Sequence, residues 1–164
     1  MIEEPLQFGP GGRLFGILTM PEGPSNSAKD LPVFVFLSSG LLYRAGPRRL
    51  YVRLARELAQ QGFSSLRVDL AGRGDSAPAP GLSEEQSLSK DYEEIVSVLE
   101  SRMGPVRLVL GGLCSAADDA LKLAPGDSRI NGLFLLDPVC DRDAGFHIRR
   151  LVSILATPVR YALW

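Results

Sequence analysis

Histidine is almost absent from this chain, whose 164 residues include one, His147. Chemistry that needs a histidine must use that residue or do without. Cysteine is nearly as scarce. Cys114 and Cys140 are the two present, too few for a disulfide framework or a clustered zinc site. Neither sign of charge is in excess: Lys and Arg number 18, Asp and Glu 19, for a net charge of −1. Such a balance exerts no general pull on nucleic acid or an anionic membrane, and neither is expected as a partner. No apolar run is long enough to span a bilayer. The phosphate-loop pattern is missing, and Gly9 to Gly12 and Gly111-Gly112 lack the dinucleotide fingerprint. No cofactor and no metal is therefore expected. Met1-Ile2-Glu3-Glu4 is acidic and lacks the basic and apolar regions of a secretory signal. The cytoplasm is the expected compartment, with both cysteines reduced there.

What is present suits one folded domain over residues 1–164. Apolar residues make up 45% and charged residues 23%, which excludes a disordered or collagen-like chain. Leu6-Gln7-Phe8 and Leu14 to Leu18 flank a Gly-Pro-Gly-Gly loop and read as a hairpin. Four short apolar runs follow: Val33 to Leu37, Ser65 to Val68, Val106 to Leu110 and Leu133 to Leu136. Runs of that length suit strands buried on both faces of a parallel sheet.

Helical patterns lie between the runs. From Arg48 to Gln61, Tyr51, Leu54, Ala55, Leu58 and Ala59 form one stripe, with Pro47 in the first turn and Gly62 at the end. Ser83-Glu84-Glu85-Gln86 has the spacing of a capping box. Behind it, Leu88, Tyr92, Ile95, Val96 and Leu99 form a buried face. A third helix is expected over Ser115 to Leu123, with Ala116, Ala117, Ala120 and Leu121 inward. A fourth is expected from His147 to Leu155, limited by Pro158. A hairpin followed by strand–helix units predicts a doubly wound, mostly parallel α/β sheet. Function in such sheets gathers at the carboxyl ends of the strands.

At one of those ends, Gly112-Leu113-Cys114-Ser115-Ala116 fits a nucleophile elbow, in which small residues lie two before and two after the reacting side chain. Larger side chains there would collide across the tight strand–helix turn. The helix N-terminus beneath the turn favours a thiolate. The next backbone N–H, that of Ser115, points where an oxyanion would form. Centring the elbow on Ser115 instead puts Leu113 where a small residue is needed, which favours Cys114.

With this elbow, the chain resembles the α/β-hydrolases over nearly its whole length. Gly40 to Leu50 and Asp69-Leu70-Ala71-Gly72-Arg73-Gly74-Asp75-Ser76 are similar to the family's loops after the third and fourth strands. The second has the D-x-x-G-x-G-D-S form of esterase and serine-aminopeptidase-like branches. Gly-Leu-Cys at the elbow is similar to bacterial hydrolases associated with exosortase systems. Serine is the family's usual nucleophile, and cysteine is the minority form found in dienelactone hydrolases. The resemblance implies a second oxyanion donor at Leu41. It also implies a base and an orienting acid, which family members usually carry on two further strands. The sequence ends at Trp164, which predicts a compact or truncated form of the fold. Two readings stay open. In one, Asp137 in Leu135-Leu136-Asp137-Pro138 orients His147 as a compact triad with Cys114, with Asp141 and Asp143 as alternative acids. In the other, the chain is a degenerate core and His147 merely begins a surface helix.

The resemblance thus implies a carboxylesterase that acts on small acyl esters through an acyl-enzyme. The alternatives are an acyltransferase using the same elbow and a non-catalytic binding or interaction protein. An uncovered sheet edge or the terminal helix suggests a homodimer. Arg44, Arg48, Arg49, Arg53 and Arg56 gather around the first helix and read as a solvated face. A second reading brings Arg44 to the mouth of the site to hold an anionic substrate group. Arg73-Gly74-Asp75 reads as an ordinary turn.

Overall fold

A computed structural model of the chain describes residues 1–22, 31–40 and 42–139. The hairpin forms as expected. Strand β1 (Ile2–Phe8) pairs antiparallel with β2 (Leu14–Met20), and a 3-10 turn at Pro10–Gly12 joins them. There follow β3 (Val33–Leu37), α1 (Leu50–Gln60), β4 (Ser65–Asp69), α2 (Glu84–Met103), β5 (Leu108–Leu113), α3 (Ser115–Leu123) and β6 (Ile130–Leu136). The six strands make one sheet in the order β1-β2-β4-β3-β5-β6. The hairpin joins β4 antiparallel through β2, and β4, β3, β5 and β6 run parallel. This is the predicted doubly wound, mostly parallel sheet with an N-terminal hairpin.

Alternation along β3 shows how both faces are filled. Val33, Val35 and Leu37 join the larger core beneath α2, with Leu88, Tyr92, Ile95 and Leu99 from that helix. Phe34 and Phe36 face the other way and pack with Tyr51 and Ala55 of α1. Two-sided burial is why β3 reads as a continuous apolar run. The capping box of α2 is present in full. Ser83 Oγ accepts from the N–H of Gln86 at 3.2 Å, and Gln86 Oε1 accepts from the N–H of Ser83 at 3.0 Å.

Several boundaries differ from expectation. Strand β5 continues three residues past Leu110, because Gly111 and Gly112 carry the ladder onward between β3 and β6. A Cβ at Gly111 would stand 1.9 Å from the carbonyl oxygen of Phe134, so only glycine lets β6 approach. Helix α1 starts at Leu50 rather than Arg48. Arg48 (φ 47°) and Arg49 (φ 60°) instead sit in left-handed conformations within a 3-10 turn, Pro47–Arg49. That detour lets Tyr51 turn beneath the sheet's carboxyl edge. On α3, Leu121 is exposed rather than inward, and Asp119 takes the buried position because it pairs with Arg73. The fourth expected helix, residues 147–155, lies outside the described residues.

Candidate active site

The chain crosses from β4 over to β5 on the far side of β3, so the crevice of the sheet opens beyond the ends of β3 and β5. Cys114 stands there, between the last residue of β5 and the first of α3. Its thiol is exposed and free, and its backbone is at φ 57°, ψ −127°. Non-glycine residues seldom adopt that conformation, which costs on the order of 1–3 kcal/mol.

The turn holds this strain from three sides. Cys114 N–H donates to the carbonyl of Leu136 on β6 at 2.8 Å, and its own carbonyl accepts from Ala117 N–H at 2.9 Å. From the α1 side, the hydroxyl of Tyr51 accepts from Leu113 N–H at 2.7 Å. The expected small residues are needed. A Cβ at Gly112 would lie 2.6 Å from the Cβ of Ala116 and 3.0 Å from the Leu37 carbonyl oxygen and the Tyr51 hydroxyl. Ser115 and Ala116 occupy the first helical positions, where N–H groups have no partner inside the helix.

Asp137 follows β6 directly, in a left-handed conformation (φ 49°) and exposed. Leu136 pairs in register with Leu113, so Asp137 and Cys114 leave adjacent strands side by side. Leu41, His147, Asp141, Asp143 and Cys140 lie outside the described residues. The loop containing position 41 is held on both flanks. Leu42 N–H donates to the Ser39 carbonyl at 2.7 Å, and buried Ser38 Oγ accepts from Leu70 N–H at 3.0 Å.

Two polar clusters that sequence reasoning missed position these loops. Asp69 is fully buried at the end of β4. Its carboxylate accepts from Arg44 N–H at 2.6 Å, Arg44 Nη1 at 2.5 Å and Asp75 N–H at 3.1 Å. A Cβ at Gly74 would run into the same carboxylate at 2.3 Å. The D-x-x-G-x-G-D-S pattern is thus a nest around one buried acid. Arg44 also pairs with Asp75 at 2.7 Å and lies over the Phe15 ring. Its charge is spent on two carboxylates, so it is neither a solvated face nor a free anion hook. In the second cluster, Arg73 Nη1 donates to the Ser38 carbonyl at 2.5 Å and reaches Asp119 Oδ2 at 3.3 Å. It thereby ties the end of β3 to α3. Burial pushes the Asp119 carboxyl up from its ordinary pKa, against the pull of Arg73. Asp69 and Arg73 were visible in the sequence as a motif, but nothing there showed which loop each would hold.

A cavity of about 590 Å³ opens between the loop after β4, α2 and α3, where Asp91, Arg73 and Asp119 line it. Cys114 is not among its lining residues. Size alone does not make it the reacting site, because its buried acids, Asp91 and Asp119, are already paired with Arg13 and Arg73. Among the described residues, no group of three or more His, Cys, Asp or Glu could hold a metal ion. None of their helices is long and apolar enough to cross a membrane.

No family model matches the chain. No curated protein matches it either. Solved structures do. The DcsB complex with its substrate analogue aligns with 96% of this chain at TM-score 0.68 and 17% identity. An esterase from Pyrococcus furiosus aligns with 94% at TM-score 0.66 and 13% identity. An alpha-beta serine hydrolase homologue from Coxiella burnetii aligns with 89% at TM-score 0.63 and 19% identity. The chain spans 52%, 56% and 66% of those proteins' lengths, respectively. Its strand order, its strained strand–helix turn and these alignments agree that the chain has the α/β-hydrolase fold.

Proposed function

We propose that the chain is a hydrolase, and more narrowly a carboxylesterase of small acyl esters with Cys114 as its nucleophile. The observation that carries this is the turn itself. An exposed thiol is held at φ 57°, ψ −127° over a helix N-terminus, braced by Tyr51, Leu136 and the close approach of Gly112 to Ala116. Nothing in packing alone calls for a strained cysteine at an exposed turn, whereas nucleophilic catalysis does. Solved structures sharing the fold include proteins described as esterases, which supports the ester class.

In the proposed reaction, the Cys114 thiolate attacks the acyl carbonyl carbon, and the oxyanion forms against the N–H of Ser115 and that of Leu41. The C–O bond breaks, and the alcohol leaves with a proton supplied by His147, which Asp137 orients. Water then gives a proton to His147 and attacks the thioester. Carboxylic acid is released, and the thiolate of Cys114 and the protonated His147 are restored. The substrate is a soluble ester.

The test follows p-nitrophenol release from short acyl esters, together with intact mass during turnover. The wild type is expected to release p-nitrophenol and to carry an acyl adduct. Cys114→Ala should lose both, by at least about a hundredfold in rate. Equal rates in the two proteins would overturn the assignment. Transfer of the acyl group to added alcohols in preference to water would make the enzyme an acyltransferase on the same nucleophile.

A further inference from the structure

On the α1 side of the sheet, far along the strand order from β5, a groove of about 510 Å³ runs between the hairpin and α1. Its charged lining includes Glu3 from β1, Arg67 from β4, and Arg49 and Arg56 at and within α1. Strand register explains the gathering. Pro5, Ile17 and Arg67 form one row across β1, β2 and β4, and Glu3, Thr19 and Ser65 form the next row on the same face.

Charge in this groove does not balance. One carboxylate, Glu3, serves two guanidiniums, Arg56 Nη2 at 2.8 Å and Arg67 Nη2 at 2.9 Å. The Arg49 guanidinium makes no hydrogen bond or salt bridge among the described residues, where its backbone N–H donates to the Gly46 carbonyl at 3.2 Å. Arg67 is 5% exposed, and its Nε has no acceptor among the described residues. The fully buried hydroxyls of Thr19 and Ser65, one row on and behind the groove's lining, also lack partners among the described residues. Buried donors in folded proteins are normally satisfied. Arg44 also lines the groove but is paired with Asp69 and Asp75; the other three cations share one anion, and Arg67 brings an unmatched buried donor. Burial lowers the pKa of Arg67, and the charges of Arg56, Arg44 and Arg49 add to that effect against Glu3. Of the two cations that Glu3 pairs with, Arg67 is thus the one it compensates less.

We propose that this groove binds a small soluble phosphate-bearing molecule, its phosphate held by Arg49, Arg56 and Arg67. Guanidinium forks match phosphate oxygens in geometry and charge. Glu3 acts as a placeholder that holds Arg56 and Arg67 in position and competes with the ligand. Arg49, left-handed and exposed at the groove's rim, supplies a cation whose side chain is bonded to no described residue. The site does not depend on the reactivity of Cys114, which is not among its lining residues.

Calorimetric titration of the whole chain with inorganic phosphate and with pyrophosphate, at constant ionic strength, tests the site. Saturable binding is expected, tighter for pyrophosphate. Arg49→Ala, a change at an exposed residue, should weaken it about tenfold, the loss of one charge-assisted hydrogen-bonding partner. Glu3→Gln should tighten it several-fold by removing the competitor. Absence of saturable binding would overturn the proposal. So would affinities unchanged in both variants, or displacement by chloride at the same ionic strength.

Discussion

At the scale of single residues, Cys114 pays for its position in backbone strain, and that cost is separable from its chemistry. Glycine adopts φ 57°, ψ −127° without the clash a Cβ brings. The exposed Cys114 side chain contributes little packing. Cys114→Gly should therefore raise stability to chemical denaturation by about 1 kcal/mol while abolishing ester hydrolysis. Lower stability in the variant would show that the thiol is held by contacts rather than against them. Gly112 and Ala116 were legible in the sequence because their requirement is steric and local. Tyr51 was legible only as an apolar member of a helix stripe. Its bond to Leu113 N–H joins residues 62 positions apart, which no local pattern encodes.

At the scale of elements, helices whose ends are set by their own side chains were readable. Those set by neighbours were not. Helix α2 begins where Ser83 and Gln86 cap each other. Ser83→Ala should cost about 1 kcal/mol in a urea melt, with Gln86 losing its reciprocal partner. An unchanged midpoint would mean that packing of Leu88 and Tyr92 alone fixes that end. Helix α1 has no such cap: Arg49 stands at its start with no side-chain bond, and Tyr51 N–H is held instead by the carbonyl of Ala45. Apolar periodicity carried the expected helix two residues too early, into a turn of left-handed arginines. The end of β5 was misplaced for a related reason. Gly111 and Gly112 look like loop residues in the sequence, and only the approach of β6 makes them strand.

At the scale of the molecule, the doubly wound, mostly parallel sheet with its N-terminal hairpin was legible, because a hairpin followed by alternating strands and helices leaves few topologies. The polar fastenings between elements were not, since each joins distant segments. One fastens α2 to the approach of β6. Asp127 accepts from Tyr92 Oη at 2.9 Å and from Arg129 Nη2 at 2.6 Å, while Arg129 also reaches Glu100 at 3.2 Å. The Arg129 guanidinium holds the Asp127 carboxyl down to about 2, from an ordinary 3.8. A carboxyl depressed in the folded state stabilises above its unfolded pKa and loses that contribution as pH falls through the folded one. Asp127→Asn should thus be less stable than wild type at neutral pH, with the gap closing between about pH 4 and pH 2. A gap that does not change with pH would assign the loss to packing. The carboxylate of Asp69 is a fastening of a different kind, since it binds the loop after β3 and the loop after β4 into one body. Neither loop can lengthen, shorten or drift near Arg44 or Gly74 without the other. Variation that reshapes this mouth must therefore come through segments Asp69 does not touch.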